Sequence, residues 1–203
     1  YLVDSGGQYP DGTTDVTRTI AIGEPDDDQR AHFTAVLKGH IAMATARLPK
    51  ESSGAALDYL ARAQVWQLGA DFDHGTGHGV GSYLSVHEGP QRVSKTSNVA
   101  LKPGMIVSNE PGYYRTDAWG IRIENLVVIE EDPGETERPM LQMSTITKAP
   151  IDRRLIDTSA MTESEIAWLD AYHADVCDTL TPLLDAKTAS WLAAATRPLQ
   201  DGV

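Results

Sequence analysis

A single cysteine, Cys177, stands among 203 residues, so no internal disulfide framework can staple this fold. That scarcity fits a reducing compartment and gives a cytoplasmic expectation. Basic residues are outnumbered: 17 Lys and Arg against 29 Asp and Glu leave a formal charge of −12. A face able to neutralise duplex phosphates is not expected, which argues against nucleic acid as the partner. No apolar run reaches the roughly 18 residues a membrane helix needs, so no membrane partner is expected, and no secretory signal is visible at the N-terminus. The length suits one sizeable domain, and 41% hydrophobic with 23% charged residues is ordinary for a globular protein. The chain opens on Tyr1-Leu2-Val3-Asp4, which reads like mid-strand. The expectation is the C-terminal part of a larger protein.

What is present has a clear order. Residues 1–9 and 13–22 read as two strands around Tyr9-Pro10-Asp11-Gly12. Pro fixes φ, Asp bonds its own backbone and Gly admits φ > 0, which together make a turn. The acids Glu24 and Asp26 to Asp28 suit a helix N-terminus. Phe33, Leu37, Ile41, Ala44 and Leu48 recur at helical spacing before Pro49. A second helix is expected from Ser52 or Ser53 to Leu68, with Leu57, Leu60, Val65 and Leu68 inward and Gly69 just past its end. Residues 105–109 and 121–129 read as strands. Thr162-Glu163-Ser164-Glu165 has the form of a capping box opening a helix over 162–185, and 187–197 is a last helix holding Trp191 and Leu192. Strands and helices in mixed order predict an α+β fold, with a division at residues 1–150 and a helical extension at 151–203.

Three clusters carry potential chemistry. Asp4 and Asp15 share a face if the hairpin register sums to 19 or 21. Two such carboxylates repel unless one is protonated or a cation intervenes; two solvated surface acids would fit the same spacing. Glu110 and Glu124 are equidistant from Asp117, so a hairpin centred there sets them opposite each other. Alternation puts Arg122 and Glu124 on one face and Ile121 and Ile123 on the other, which also suits a plain surface ladder. The third cluster is Asp73-His74-Gly75-Thr76-Gly77-His78-Gly79-Val80-Gly81, followed by His87. Four glycines in nine residues argue against a helix and for backbone that approaches a ligand or strand closely. Oxygen-rich ligands with one nitrogen suit Mn²⁺, Co²⁺ or Zn²⁺, and four carboxylates balance two divalent ions.

The segments Tyr-Leu-Val-Asp-Ser-Gly-Gly-Gln-Tyr, Asp-Gly-Thr-Thr-Asp-Val-Thr-Arg-Thr, His-Gly-Thr-Gly-His-Gly-Val-Gly, Val-His-Glu-Gly-Pro, Ser-Asn-Glu-Pro-Gly-Tyr-Tyr and Gly-Ile-Arg-Ile-Glu-Asn run in order over residues 1–129. Together they resemble the Xaa-Pro aminopeptidases, within the group that includes methionine aminopeptidase, prolidase and creatinase. The resemblance implies the pita-bread fold, a curved antiparallel sheet with outer helices, here without its N-terminal part. It implies five metal ligands: Asp4, Asp15, His78, Glu110 and Glu124. Asp4 and Asp15 would serve one ion, His78 and Glu110 the other, with Asp15 and Glu124 bridging. It further implies Glu110 as general base, His74 and His87 as substrate contacts near the scissile carbonyl, and Arg122 as orienter of the carboxylates. The implied reaction is hydrolysis of the N-terminal Xaa-Pro bond by a hydroxide shared between two divalent ions, Mn²⁺ foremost. His74, Tyr113 and Trp119 are expected to wall the proline pocket. A homodimer through the C-terminal region is also expected. The rivals are a prolidase acting on dipeptides and a metal-free binding module on the same fold.

Overall fold

Pro10 and Asp11 form the two-residue connection between β1 (Leu2–Tyr9) and β2 (Gly12–Thr19), with Tyr9 opposite Gly12. The structure, a computed structural model, describes residues 1–199. Asp26 caps α1 (Asp27–Ala44): its carboxylate accepts from the Gln29 N–H and the Gln29 side chain reciprocates. α1 stops four residues short of Leu48, because the Thr45 hydroxyl takes the Ile41 carbonyl and the chain turns away. Leu48 belongs instead to the short β3 (Leu48–Pro49) and is still buried.

α2 (Gly54–Trp66) buries Leu57, Ala61 and Val65, and Gly69 follows it at φ +68°. Leu68 lies beyond the last turn and is exposed, not inward as the periodicity predicted. Then come β4 (Gly77–His78), β5 (Arg92–Val93), β6 (Ile106–Asn109), β7 (Gly112–Arg115), β8 (Trp119–Arg122), β9 (Asn125–Glu131) and β10 (Met140–Thr145). β3, β10, β9 and β6 form one antiparallel sheet, and β7–β8 continue the β6–β9 hairpin past a break. The result is a curled antiparallel sheet with helices packed on it, the α+β architecture expected.

The break has a local cause. Pro111 has no N–H to give the ladder. The N–H of Glu110 goes to Thr76 O at 2.8 Å and that of Glu124 to Thr17 O at 3.1 Å, so both glutamates leave the ladder to join neighbouring segments.

Thr162 caps α3 (Glu163–Leu180) through the expected capping box. α3 ends earlier than 185, in a 3₁₀ turn at Thr181–Leu183 that holds Pro182. α4 (Ala186–Ala195) buries Leu192 while Trp191 stays exposed. One core joins Phe33, Leu37 and Ile41 of α1 to Ile121, Ile123, Leu169, Val176 and Leu192. A second joins Met43, Leu57, Val93, Val107, Val127 and Leu141. The helical C-terminal residues therefore share a core with the sheet.

Candidate metal centre

The hairpin register sums to 21: Asp4 faces Thr17 and Asp15 faces Gly6. The two aspartates therefore stand on one face, one step apart along the ladder. Around Asp117 the pairs Tyr113–Ile121 and Asn109–Asn125 keep one register, which brings Glu110 and Glu124 side by side across the break. His78 arrives from β4. Its strand fits there because Gly77 lies so close to Ser108 that an added Cβ would sit 1.9 Å from the Ser108 carbonyl oxygen. The glycines thus serve close backbone approach, as the sequence suggested. Asp4, Asp15, His78, Glu110 and Glu124 all line one open cavity of about 450 Å³, together with His87.

Distances within the cavity are short. His78 Nε2 lies 3.4 Å from Asp15 Oδ2 and 3.3 Å from Glu110 Oε1. Asp15, His78 and Glu124 each offer an atom within 4.8 Å of the others. Burial pushes the Glu124 carboxyl up to about 8; Glu110, Asp15 and Asp4 push the same way, against a hydrogen bond from Thr17 Oγ1 at 2.6 Å. Burial also raises Glu110, despite His78, Ser108 and Arg122. Burial lowers His78, but its bond to Asp15 and the charge of Glu110 leave it raised overall. Asp4 is the outlier: half of its side chain is exposed, and its Oδ2 accepts from Arg122 Nη2 at 2.7 Å.

Supporting residues that the sequence reading overlooked hold these groups. Ser108 Oγ donates to Glu110 Oε1 at 2.9 Å and accepts the His78 N–H at 2.9 Å. From α2, Arg62 donates to the carbonyls of Phe72 and His74, and Asp58 accepts from both Arg62 and Thr76 Oγ1. That buried pair pins the histidine loop to a helix. Arg122 Nη1 donates to the Tyr114 hydroxyl at 2.8 Å, which lies 2.8 Å from His74 Nε2, while His74 Nδ1 lies 2.7 Å from Gly75 O. With Nδ1 donating to Gly75, Tyr114 donates to Nε2. Burial, then the charges of Arg122 and Arg62, lower the His74 pKa. The His87 ring packs edge-on against His78 with centroids 4.1 Å apart.

Tyr113 and Trp119 are placed elsewhere. Tyr113 stacks on His32 of α1 at 4.3 Å, Trp119 meets both rings at 5.5 Å, and all pack on the core. Alternation is the reason: Tyr113 shares the face of Ile121, and Tyr114 that of Arg122. Tyr114, not Tyr113, stands beside the site.

The donor set fits divalent cations. Four carboxylates and one imidazole converge, and Glu124 Oε1 is buried with no hydrogen-bond partner among the described residues. A cation would meet that bare oxygen and relieve the crowding that lifts Glu124. Sequence comparison agrees. The model of metallopeptidase family M24 matches residues 1–131, and that of the C-terminal region of peptidase M24 matches 139–199.

The chain belongs to metallopeptidase family M24.

This M24 chain is 48% identical over 207 residues to Aminopeptidase P1 of Arabidopsis thaliana and to a probable Xaa-Pro aminopeptidase P of Tuber melanosporum, in both cases over 98% of this chain. It spans about a third of those relatives, 32% and 33%. Among solved structures, the X-prolyl aminopeptidase from Caenorhabditis elegans, described as a cytosolic enzyme with a di-nuclear active site, matches with a TM-score of 0.91 at 43% identity, over 97% of this chain and 33% of that one. The prolidase from Pyrococcus furiosus matches with a TM-score of 0.61 at 33% identity, over 73% and 41%.

Proposed function

We propose that this chain forms the dinuclear catalytic centre of an Xaa-Pro aminopeptidase, which removes the first residue of peptides with proline second. The single observation that carries this is the convergence of Asp4, Asp15, His78, Glu110 and Glu124 on one cavity. The set with one imidazole suits Mn²⁺, with Zn²⁺ or Co²⁺ as close substitutes. Asp4 and Asp15 are assigned to one ion, His78 and Glu110 to the other, and Asp15 and Glu124 to both. When bound, the two ions supply Lewis-acid polarisation of the scissile carbonyl and an acidified water. Glu110 acts as general base towards the attacking water and passes the proton to the leaving proline nitrogen. His87 stands at the cavity wall, where it donates to the developing oxyanion. His74, fixed by Tyr114 and Gly75, contacts the substrate beside it. Arg122 orients Asp4 directly and reaches Glu110 at 3.8 Å.

An aminopeptidase is favoured over a prolidase because the aminopeptidase P relatives match at 48% identity over 98% of the chain, against 33% over 73% for the prolidase. Residues 1–150 are assigned to catalysis and 151–203 to a helical extension, of which 200–203 lie outside the described residues. Exposed Leu183 and Trp191 on that extension support contact with a second copy of the chain. A cytoplasmic location fits the description of the worm enzyme. Among the described residues no helix is long and apolar enough to cross a membrane.

The test is cleavage of Arg-Pro-Pro, Ala-Ala-Pro and Ala-Pro by the full chain with added Mn²⁺. Turnover of the tripeptides, abolished in Asp15→Asn together with metal uptake, is expected. Turnover of Ala-Pro alone would favour a dipeptidase, and unchanged behaviour of Asp15→Asn with no bound metal would favour a binding module.

A further inference from the structure

Glu124 sits between β8 and β9, where their pairing with β7 and β6 is interrupted, so its backbone needs other partners. Its carbonyl accepts from Arg18 Nη1 at 2.6 Å, and its carboxylate accepts from Thr17 of the same strand, β2. Arg18 is buried, and its hydrogen bonds among the described residues go to neutral acceptors. Its guanidinium bonds the Thr17, Ala149 and Pro150 carbonyls, Asn125 Oδ1 at 2.7 Å and the Tyr172 hydroxyl at 3.0 Å. Tyr172 comes from α3, in the C-terminal region. Its hydroxyl lies 3.3 Å from Asn125 Oδ1 and 2.8 Å from Ala149 O, and its ring lies flat on Trp168 at 5.5 Å. One hydroxyl thus touches the arginine that holds Glu124 and the residue next to Glu124.

We infer that Tyr172 is a positioning residue for Glu124: through Arg18 and Asn125, the C-terminal helix fixes a ligand of the metal centre from behind the sheet. This rests on the metal reading above. Arg18 spends its donors on neutral acceptors, so its plane is set by geometry alone, and a lost acceptor lets it tilt. Glu124 Oε1 has no hydrogen-bond partner among the described residues to resist the movement. Hydrogen bonds made directly to a ligand set its orientation, and their loss costs about 10–100-fold in metal affinity; Tyr172 acts one residue further out, through Arg18 on the Glu124 carbonyl, which places its effect at the lower end of that range.

The experiment is calorimetric titration of Mn²⁺ into the metal-free full chain, well below its melting temperature, for wild type, Tyr172→Phe and Leu169→Ala. Leu169 is fully buried on the same helix but outside the network, so its truncation reports lost stability without lost positioning. Tyr172→Phe is expected to weaken Mn²⁺ binding at the two-ion site that Glu124 serves about tenfold, while Leu169→Ala lowers the melting temperature with Mn²⁺ affinity unchanged. Should Tyr172→Phe not fold, Trp168→Leu keeps the hydroxyl but removes its stacking support, and a smaller weakening of the same site is expected. Tyr172→Phe affinities within twofold of wild type, or equal weakening by Leu169→Ala, overturn the positioning role. A wild-type chain that takes up no Mn²⁺ overturns the metal reading beneath it.

Discussion

Tyr114 shows how much one hydroxyl can decide. It accepts from Arg122, whose other arm holds Asp4, and it donates to His74 Nε2. Removing the hydroxyl takes away the partner of His74 Nε2 and leaves Arg122 free to rotate away from Asp4. Hydrogen bonds that involve a charged group contribute roughly 1.5–3 kcal/mol, which is about a 10–100-fold change in rate at 1.4 kcal/mol per decade. Tyr114→Phe is therefore expected to lower kcat/KM about tenfold or more on Xaa-Pro peptides. Because the side chain is partly exposed at the site's edge, the melting temperature is expected to hold within a few degrees. A variant equal to wild type in kcat/KM would remove the relay from the mechanism. Asp4 is a half-exposed acid whose Oδ2 is held by Arg122.

At the scale of elements, the glycine-rich strand is set by contact with its neighbour. Gly77→Ala would place a methyl 1.9 Å from the backbone oxygen of Ser108, which has no flexible end to move aside. Overpacking costs about 1–3 kcal/mol. β4 must shift from β6, and His78, whose N–H bonds Ser108 Oγ, must shift with it. The expected result is a melting temperature a few degrees lower and a larger loss in metal stoichiometry, measured on the purified variant by elemental analysis. Intact metal uptake would mean that His78 does not depend on this contact. The sequence made this element legible only by type: glycines spaced by two mark close approach, without naming the strand approached. The two hairpins were more legible: the Pro-Asp-Gly turn left register sums of 19 or 21 for the first, of which the structure has 21, and the midpoint at Asp117 set the second. The same midpoint pairs Tyr113 with Ile121, so the core position of Tyr113 was readable from alternation. Aromatic character pointed the other way, and alternation won. Arg62, Thr17 and Ser108 were not legible: their partners lie 12, 107 and 30 residues away for His74, Glu124 and His78, and no local pattern announces such pairings.

The whole molecule has one feature that neither strand nor site displays, a pair of histidines held neutral between the sheet and the C-terminal region. His40 of α1 is fully buried beside Asn125, and burial with the charge of Arg18 pushes it down to about 3. His173 of α3 accepts the Ile151 N–H on Nε2, and burial with the charges of Arg153 and Arg18 pushes it down to about 4. In the unfolded chain both titrate near 6.5. Above that value neither state carries the extra proton and the histidines leave stability independent of pH. As pH falls below it, the unfolded chain binds protons that the folded chain refuses, so stability falls by about 1.4 kcal/mol per pH unit for each group. The contribution of His173 is lost between 6.5 and about 4, and that of His40 continues to about 3. His173→Gln keeps an acceptor for the Ile151 N–H and cannot titrate. Denaturant unfolding of the metal-free chain from pH 7.5 to 4.5 should show equal slopes above about 6.5 and, below it, the variant losing less stability than wild type by about 1.4 kcal/mol per unit. The comparison between the two cancels the carboxylates of the metal centre, which titrate in both. Parallel curves would mean that His173 is protonated in the folded chain. Since Ile151, Leu169 and Tyr172 share a core with Phe33 and Ile123, protonation here loosens the contact that ties the helical tail to the segment of Glu124 between β8 and β9. Acid is thus expected to release the metal centre and the C-terminal helices together, in one transition.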